Sequence, residues 1–262
     1  MRARKAWVLM ALVLVVPVAA ACAVPRPEPS ERPEPSERQE PSGRQEPSVR
    51  LEAELVSPTD ITLRWKRRDP GAAGHVIEFA TEPAGPYTIL GFLPPEQTSY
   101  THPDLMPRTT FSYRLRPYYG AASAPVDVTL GGGPYPEPDP RWAEPRVLPG
   151  GSPGTRPVGS EGAAPTGLKA TVTQADGVAF RWADQARDEE GYLLEDRPAG
   201  RPGYRVTAVL APDVNAFGLV TLPEERHASY RVRAFRYGPP SDVVQRTTGD
   251  DTPSPTTEES SP

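Results

Sequence analysis

The sequence predicts an all-β fold made of two tandem β-sandwiches. Short runs such as 60–65 and 177–182 alternate apolar and polar residues, which is the period of a half-buried strand. Similar runs recur at short intervals between turns rich in Gly, Pro and Asp, and the second half of the chain repeats the pattern of the first. Each half is long enough for one small hydrophobic core, so we expect two sandwiches.

Residues 1–21 have the three parts of an export signal. A basic start is followed by the apolar run 6–21, which ends in the small residues Ala19–Ala21. As a helix this run would be about 24 Å long, short of the roughly 30 Å hydrocarbon core of a bilayer. We therefore expect the segment to be cleaved rather than retained as a membrane span.

Cys22, the only cysteine of the chain, follows the signal directly. The Ala-Ala-Ala-Cys junction resembles the lipobox of bacterial lipoproteins, in which the cysteine becomes the lipidated first residue of the mature chain. The resemblance implies lipidation of Cys22 and an extracytoplasmic protein anchored to the bacterial cell membrane or the outer membrane. A soluble secreted product cut after Ala21 and an uncleaved anchor are the alternatives.

Residues 22–48 are predicted to form a stalk, either disordered or in the polyproline II conformation. A six-residue unit beginning Glu-Pro-Ser occurs four times in residues 28–51, with little apolar content. Proline in each unit favours extended chain, and the charged residues keep it solvated.

The remaining chain divides by composition. Residues 49–130 and 164–248 carry the strand patterns and are the two predicted sandwich domains. The Pro- and Gly-rich segment 131–163 is predicted to be a flexible linker between them, and 249–262 a disordered tail. Tyr135 and Trp142 of the linker could either dock on a domain and shorten the linker or bind a partner.

The repeated segments also resemble a known domain family. Three pairs of segments align in it: Trp65 with Trp182, Gly74–Glu78 with Gly191–Glu195, and Phe111–Arg116 with Ala228–Arg233. A tryptophan strand, a Gly-aromatic-x-aliphatic-Glu strand and a Tyr-Arg-aliphatic-Arg strand in this order resemble the fibronectin type III domain. The resemblance implies two immunoglobulin-like sandwiches that bind or support other molecules without catalysis.

Aromatic residues near the end of each late strand are candidate binding residues. Tyr118 and Tyr119 occupy this place in the first half, and Phe235 and Tyr237 occupy it in the second. Aromatic side chains in loops are frequent recognition anchors, but in small sandwiches they also cap the end of the core. Both interpretations remain open from the sequence.

Arginines on the same strands are a second group of candidates. They alternate with inward-facing residues and are predicted to face outward: Arg114, Arg116, Arg231 and Arg233. In the resembled fold the strand at Gly74–Glu78 pairs with the strand at Phe111–Arg116, and the same holds for their equivalents in the second half. Glu78 and Glu195 would therefore lie on the same face as these arginines. The arginines could form cross-strand pairs with these glutamates, or a basic stripe that binds an anionic glycan.

Several functions are not predicted. The formal net charge of −5 argues against nucleic acid as a partner. The three histidines lie in none of the common catalytic motifs, so we predict no catalytic residues, no enzyme activity and no cofactor. The acidic turn Asp184–Glu190 contains several carboxylates, but its spacing does not match a calcium loop; we predict a solvated loop and no metal ligands.

The sequence thus predicts a membrane-anchored lipoprotein of the cell envelope with a binding or scaffold function exerted through protein–protein contacts. Two alternatives are a protein that binds cell-wall or extracellular glycan, and a non-catalytic subunit of an envelope enzyme. The identity of the partner is not predicted.

Overall fold

The described part of the protein consists almost entirely of short β-strands. The computed structural model describes residues 50–66, 69–135, 137, 140–149 and 154–250, which all belong to one compact unit. The strands are β1 (Leu51–Ser57), β2 (Asp60–Trp65), β3 (Gly74–Ala80), β4 (Thr88–Leu93), β5 (Ser99–His102), β6 (Thr110–Tyr119), β7 (Val126–Thr129), β8 (Thr166–Gln174), β9 (Gly177–Ala183), β10 (Gly191–Pro198), β11 (Arg205–Leu210), β12 (Ala216–Val220), β13 (His227–Tyr237) and β14 (Val244–Thr247).

A 3-10 turn at Pro223–Glu225 is the one helical element among these residues. Within the same described ranges, no helix has the length and apolar character needed to cross a membrane. The predictions for the export signal, Cys22, the whole stalk 22–48 and most of the tail fall on residues outside the described ranges.

The strands form two sandwiches of seven strands each. In the first, β1-β2-β5 packs against β4-β3-β6-β14; in the second, β12-β9-β8 packs against β11-β10-β13-β7. All pairings between these strands are antiparallel. The predicted all-β fold with two tandem sandwiches is therefore confirmed.

Each sandwich has a core filled by the residues that the alternating pattern placed inward. Ile61, Leu63 and Trp65 of β2 are buried in the first core. Phe180 and Trp182 of β9 occupy the corresponding places in the second core. Burial of such side chains, at about 1.5–3 kcal/mol each, is the main source of stability for a chain with no disulfide framework.

The last strand of each half pairs with the other sandwich. β7 lies beside β13, with Thr129 opposite His227. β14 lies beside β6, with Thr247 opposite Thr110. The two halves have therefore exchanged their final strands, and neither sandwich is complete without a strand from the other half.

The exchange changes the predicted division of the chain. The ranges 49–130 and 164–248 differ from the packed units, because each range ends in a strand that belongs to the other sandwich. Val128 of β7, for example, is buried in the core formed by the second half.

The two long strands β6 and β13 also pair with each other at their ends. Tyr119 lies opposite Arg236, and Tyr118 lies opposite Tyr237, which joins the two larger sheets into a continuous eight-stranded sheet. Tyr119 and Arg236 occupy equivalent positions in the internal repeat. The exchange is therefore arranged about a local two-fold axis that passes through this pair.

Serine side chains fix the path of each exchanged segment. The Ser123 N–H donates to the Val232 carbonyl at 2.8 Å, and the Val232 N–H donates to Ser123 Oγ at 3.1 Å. In the other half Ser241 makes the same two bonds with Leu115, at 2.8 and 3.0 Å. Each segment is therefore bound to the other sandwich before its strand begins.

Gly120 is required where the first exchanged segment leaves β6. Its φ of 134° lies in a region that residues with a side chain rarely adopt, and a Cβ at this position would lie 2.0 Å from the Ala234 carbonyl oxygen. Only glycine allows the backbone to cross so close to β13.

The segment predicted to be a flexible linker packs on the second sandwich over much of its described length. Val158 is buried in the second core, and the Arg146 N–H donates to the Ala216 carbonyl at 2.9 Å. The Trp142 ring lies against Gly218 and Gly177, where a Cβ would come within 2.4 and 2.7 Å of it. The flexible-linker prediction for 131–163 is therefore wrong for these residues, because they find apolar and backbone partners on the sheet.

Candidate functional site

The two sandwiches meet in a buried apolar cluster, which we call the junction cluster. Its buried members are Val76, Tyr118, Leu193 and Phe235. The ring centroids of Tyr118 and Phe235 are 6.3 Å apart, and the ring of Phe92 packs edge-on against both at 5.6 and 5.7 Å. Edge-to-face pairs of this kind add about 0.5–1.5 kcal/mol to the effect of burial. Apolar packing therefore holds the two sandwiches together beside the exchanged strands.

The junction cluster corrects the prediction for the four aromatic candidates. Tyr118 and Phe235 are 2% and 1% exposed, so they cannot contact an external partner while the junction is intact. Tyr119 and Tyr237 are half-buried at its margin. The residues that would form free loop ends in an isolated sandwich are covered here by the other sandwich.

Both marginal tyrosines are held by acidic residues. The Tyr119 hydroxyl donates to Asp69 Oδ2. Burial, reinforced by this hydrogen bond, raises the pKa of Tyr119 to about 12, and the same bond lowers the pKa of Asp69. The Tyr237 N–H donates to Glu190 Oε2 at 2.5 Å.

The first pair of candidate arginines binds a buried glutamate. Arg114 Nε lies 2.5 Å from Glu78 Oε2, and Arg116 Nη1 lies 3.9 Å from Glu78 Oε1. The Arg114 guanidinium is stacked 3.9 Å above the ring of Tyr87, and that of Arg116 lies 4.4 Å above Tyr237. Glu78 lies at a register shift between β3 and β4.

The second pair repeats this arrangement, with Arg233 less exposed than the equivalent Arg116. Arg233 Nε donates to Glu195 Oε1 at 2.7 Å, while Arg231 Nε donates to Glu195 Oε2. The Arg231 guanidinium is stacked 3.9 Å above the ring of Tyr204. Arg233 also donates to the Gly120 carbonyl, so the ion pair is linked directly to the exchanged segment of the other half.

These contacts correspond to the cross-strand pairs that the sequence suggested. All four candidate arginines contact a carboxylate, and three of them have an aromatic ring beside them. Each glutamate is shared by two arginines, so each cluster keeps one positive charge, but the arginine side chains are only 9–28% exposed. The stacking residues Tyr87 and Tyr204 were not predicted. They occupy equivalent positions in the repeat, and this symmetry is the signal that could have identified them.

An acidic cluster lies apart from the junction cluster. One carboxylate oxygen from each of Asp184, Glu189 and Asp213 lies within 4.8 Å of the others, a spacing that could hold a metal ion. The sequence-based prediction of a solvated loop without metal ligands considered only the turn Asp184–Glu190. It missed Asp213, which the fold brings in from the turn between β11 and β12.

Comparisons with known proteins describe likeness of fold only. No family model matches the chain, and no curated protein matches it. A fibronectin type III-like protein from Clostridium thermocellum is 27% identical, covers 27% of this chain and 75% of its own, and has a TM-score of 0.25. A segment of two fibronectin type III domains from chicken tenascin is 15% identical over 75% of this chain and 95% of its own, with a TM-score of 0.24. A computer-redesigned β-sandwich protein is 22% identical over 29% of this chain and 79% of its own, also with a TM-score of 0.24.

These TM-scores are too low for any property of the matched proteins to be transferred. The strand topology by itself defines an all-β protein with tandem, strand-exchanged sandwiches.

Proposed function

We propose that this protein is a lipid-anchored scaffold of the bacterial cell envelope that presents its two sandwiches to a protein partner as one rigid body. The observation that carries this proposal is the reciprocal exchange of β7 and β14 across the junction cluster. Tandem domains joined by a linker ordinarily move relative to each other. Here a strand, a buried ion pair and an apolar cluster all oppose such motion.

Rigidity favours a binding function over a simple spacer. Two surfaces held at a fixed separation can bind a partner without the ordering cost that a flexible pair would incur on binding. A protein partner is favoured over a glycan because the arginines that a glycan would need are held by Glu78 and Glu195 and are only 9–28% exposed. The anchor in this proposal is a lipid on Cys22, as the sequence around this residue suggests.

Lipidation is tested by expressing the full chain and its Cys22→Ser variant in a bacterium that processes lipoproteins. The unsubstituted chain is expected to incorporate radiolabelled palmitate and to sediment with membranes, whereas the variant loses both properties. Membrane association without label would indicate an uncleaved anchor. Release of both chains into the medium or periplasm would contradict the lipid anchor.

The partner is sought by chemical cross-linking of the full chain in intact cells, followed by detergent extraction and purification. We expect a defined envelope protein to be cross-linked, and we expect it to remain bound after purification at both low and high salt. Recovery of polysaccharide that salt releases would shift the function to glycan binding. Recovery of neither would contradict a binding function.

A further inference from the structure

We propose that Asp184, Glu189 and Asp213 form a Ca²⁺ site in the loops at one end of the second sandwich. One oxygen of each carboxylate lies within 4.8 Å of the others. Three carboxylates without a thiol or imidazole are the ligand set of a hard cation such as Ca²⁺, with waters completing a coordination number of six to eight.

The buried side chain of Glu189 is the observation that indicates a bound ligand. The residue is 8% exposed, and its Oε2 atom is buried with no hydrogen-bond partner among the residues that the structure describes. Its other oxygen, Oε1, accepts a hydrogen bond from the Asp213 N–H at 3.2 Å. A buried carboxylate oxygen with no donor is costly, and a bound cation would satisfy it.

The Asp184 carboxylate is already oriented for such a role. Its Oδ1 atom accepts hydrogen bonds from the Tyr192 hydroxyl and from the Ala186 N–H, the latter at 2.9 Å. Its Oδ2 atom accepts only a 3.3 Å bond from the Gly154 N–H, which leaves a lone pair available for a cation. Fixed ligand orientation of this kind is typical of metal sites.

The internal repeat shows that the sandwich does not need this cluster. The positions equivalent to Asp184, Glu189 and Asp213 in the first half are Arg67, Ala72 and Glu96. Ala72 is buried where Glu189 is buried in the second half. The same fold is therefore built with an apolar residue at this place, so the buried carboxylate is specific to the second sandwich and is not required by the architecture.

The test is a titration of the chelator-treated full chain with CaCl₂, followed by thermal unfolding and calorimetry near neutral pH. We expect a dissociation constant of about 10⁻⁴–10⁻³ M, as for extracellular calcium modules, and a rise in Tm of about 3–6 °C at roughly ten times that concentration. Tb³⁺ in place of Ca²⁺ is expected to emit light sensitised by Trp182 and Tyr192, whose rings are 5.6 Å apart beside Asp184.

Two variants locate the effect. Glu189→Gln keeps the size of the side chain. Asp213 is exposed, so Asp213→Asn leaves the core intact. Both are expected to weaken binding at least tenfold and to abolish the Tb³⁺ emission. Glu96→Gln, which changes the equivalent acidic turn of the first sandwich, is the matched control and is expected to leave the response unchanged. Absence of a Tm shift and of heat in the unsubstituted chain, or a response that survives in both variants, would overturn the proposal.

Discussion

Replacement of Phe235 by alanine is expected to lower the free energy of unfolding by about 3–5 kcal/mol, the range for truncating a buried phenylalanine. Phe235 is 1% exposed and its ring contacts those of Phe92, Tyr118 and Tyr237. The cavity would open between the sandwiches rather than inside one of them. Because each sandwich contains a strand of the other, the loss is expected to destabilise both together.

Urea unfolding of the full chain measures this effect. The reporters are Trp65 and Trp182, one buried in each core, each observed after the other three of the four tryptophans are replaced by phenylalanine. The two probes are expected to give one coincident transition before and after the Phe235→Ala change. Met106→Ala, at a side chain that is 72% exposed, is the control and should change stability by less than about 0.5 kcal/mol. A Phe235→Ala effect as small as that of the control would contradict the buried junction cluster.

Replacement of Glu195 by alanine is expected to cost about 3–5 kcal/mol, the range for removing one partner of a buried ion pair. Glu195 binds Arg231 and Arg233, and the Arg233 side chain is only 9% exposed. Without the carboxylate this guanidinium would keep its charge and its bond to the Gly120 carbonyl, but it would lose its main acceptor.

Glu78→Ala is the matched control, because Glu78 holds the equivalent place in the first sandwich. Its arginines, Arg114 and Arg116, are 26% and 24% exposed and can turn toward water. The expected loss is therefore smaller, about 1.5–3 kcal/mol. The midpoints of urea unfolding compare the two variants directly. Equal losses, or a larger loss for Glu78→Ala, would contradict the account of the second ion pair as the more buried one.

The strands and their inward faces could be predicted from the sequence, because they depend on the alternation of apolar and polar residues within short segments. The alternation around Ile61 and Phe180 identified strands and their inward faces, and both residues are buried. The pairing of Arg114 with Glu78 followed from the repeat and the resembled strand order, and the structure has this contact.

The exchange of strands could not be predicted, because the sequence pattern assigns each final strand to its own half. β7 and β14 have the same length, and each begins with valine and ends with threonine. They differ at the third position, where Val128 is buried in the second core and Arg246 is exposed. The exchanged pairing also depends on the path of the hinge segment, where Gly120 passes close to Ala234 of the other half.

The sequence left open whether the candidate aromatic residues bind a partner or cap a core, because the answer depends on where the other half of the chain lies. Tyr118 and Phe235 lie at the end of their strands, where a single sandwich leaves aromatic rings at its surface. They are buried only because a second sandwich covers them. Asp213 and Glu189 are likewise joined by folding and not by sequence spacing, so no motif contains both.

Disulfide trapping of the exchanged strand tests the central claim most directly. In a Cys22→Ser background, the pair Thr129→Cys and His227→Cys places two thiols at facing positions of β7 and β13. The pair Thr129→Cys and Thr110→Cys places them where β7 would lie if it paired with β6 of its own half, since Thr110 faces Thr247 here. Facing residues of adjacent strands lie within the distance range of a disulfide. Strand exchange predicts an intrachain disulfide in the first variant and free thiols in the second; the reverse result would contradict the exchanged fold.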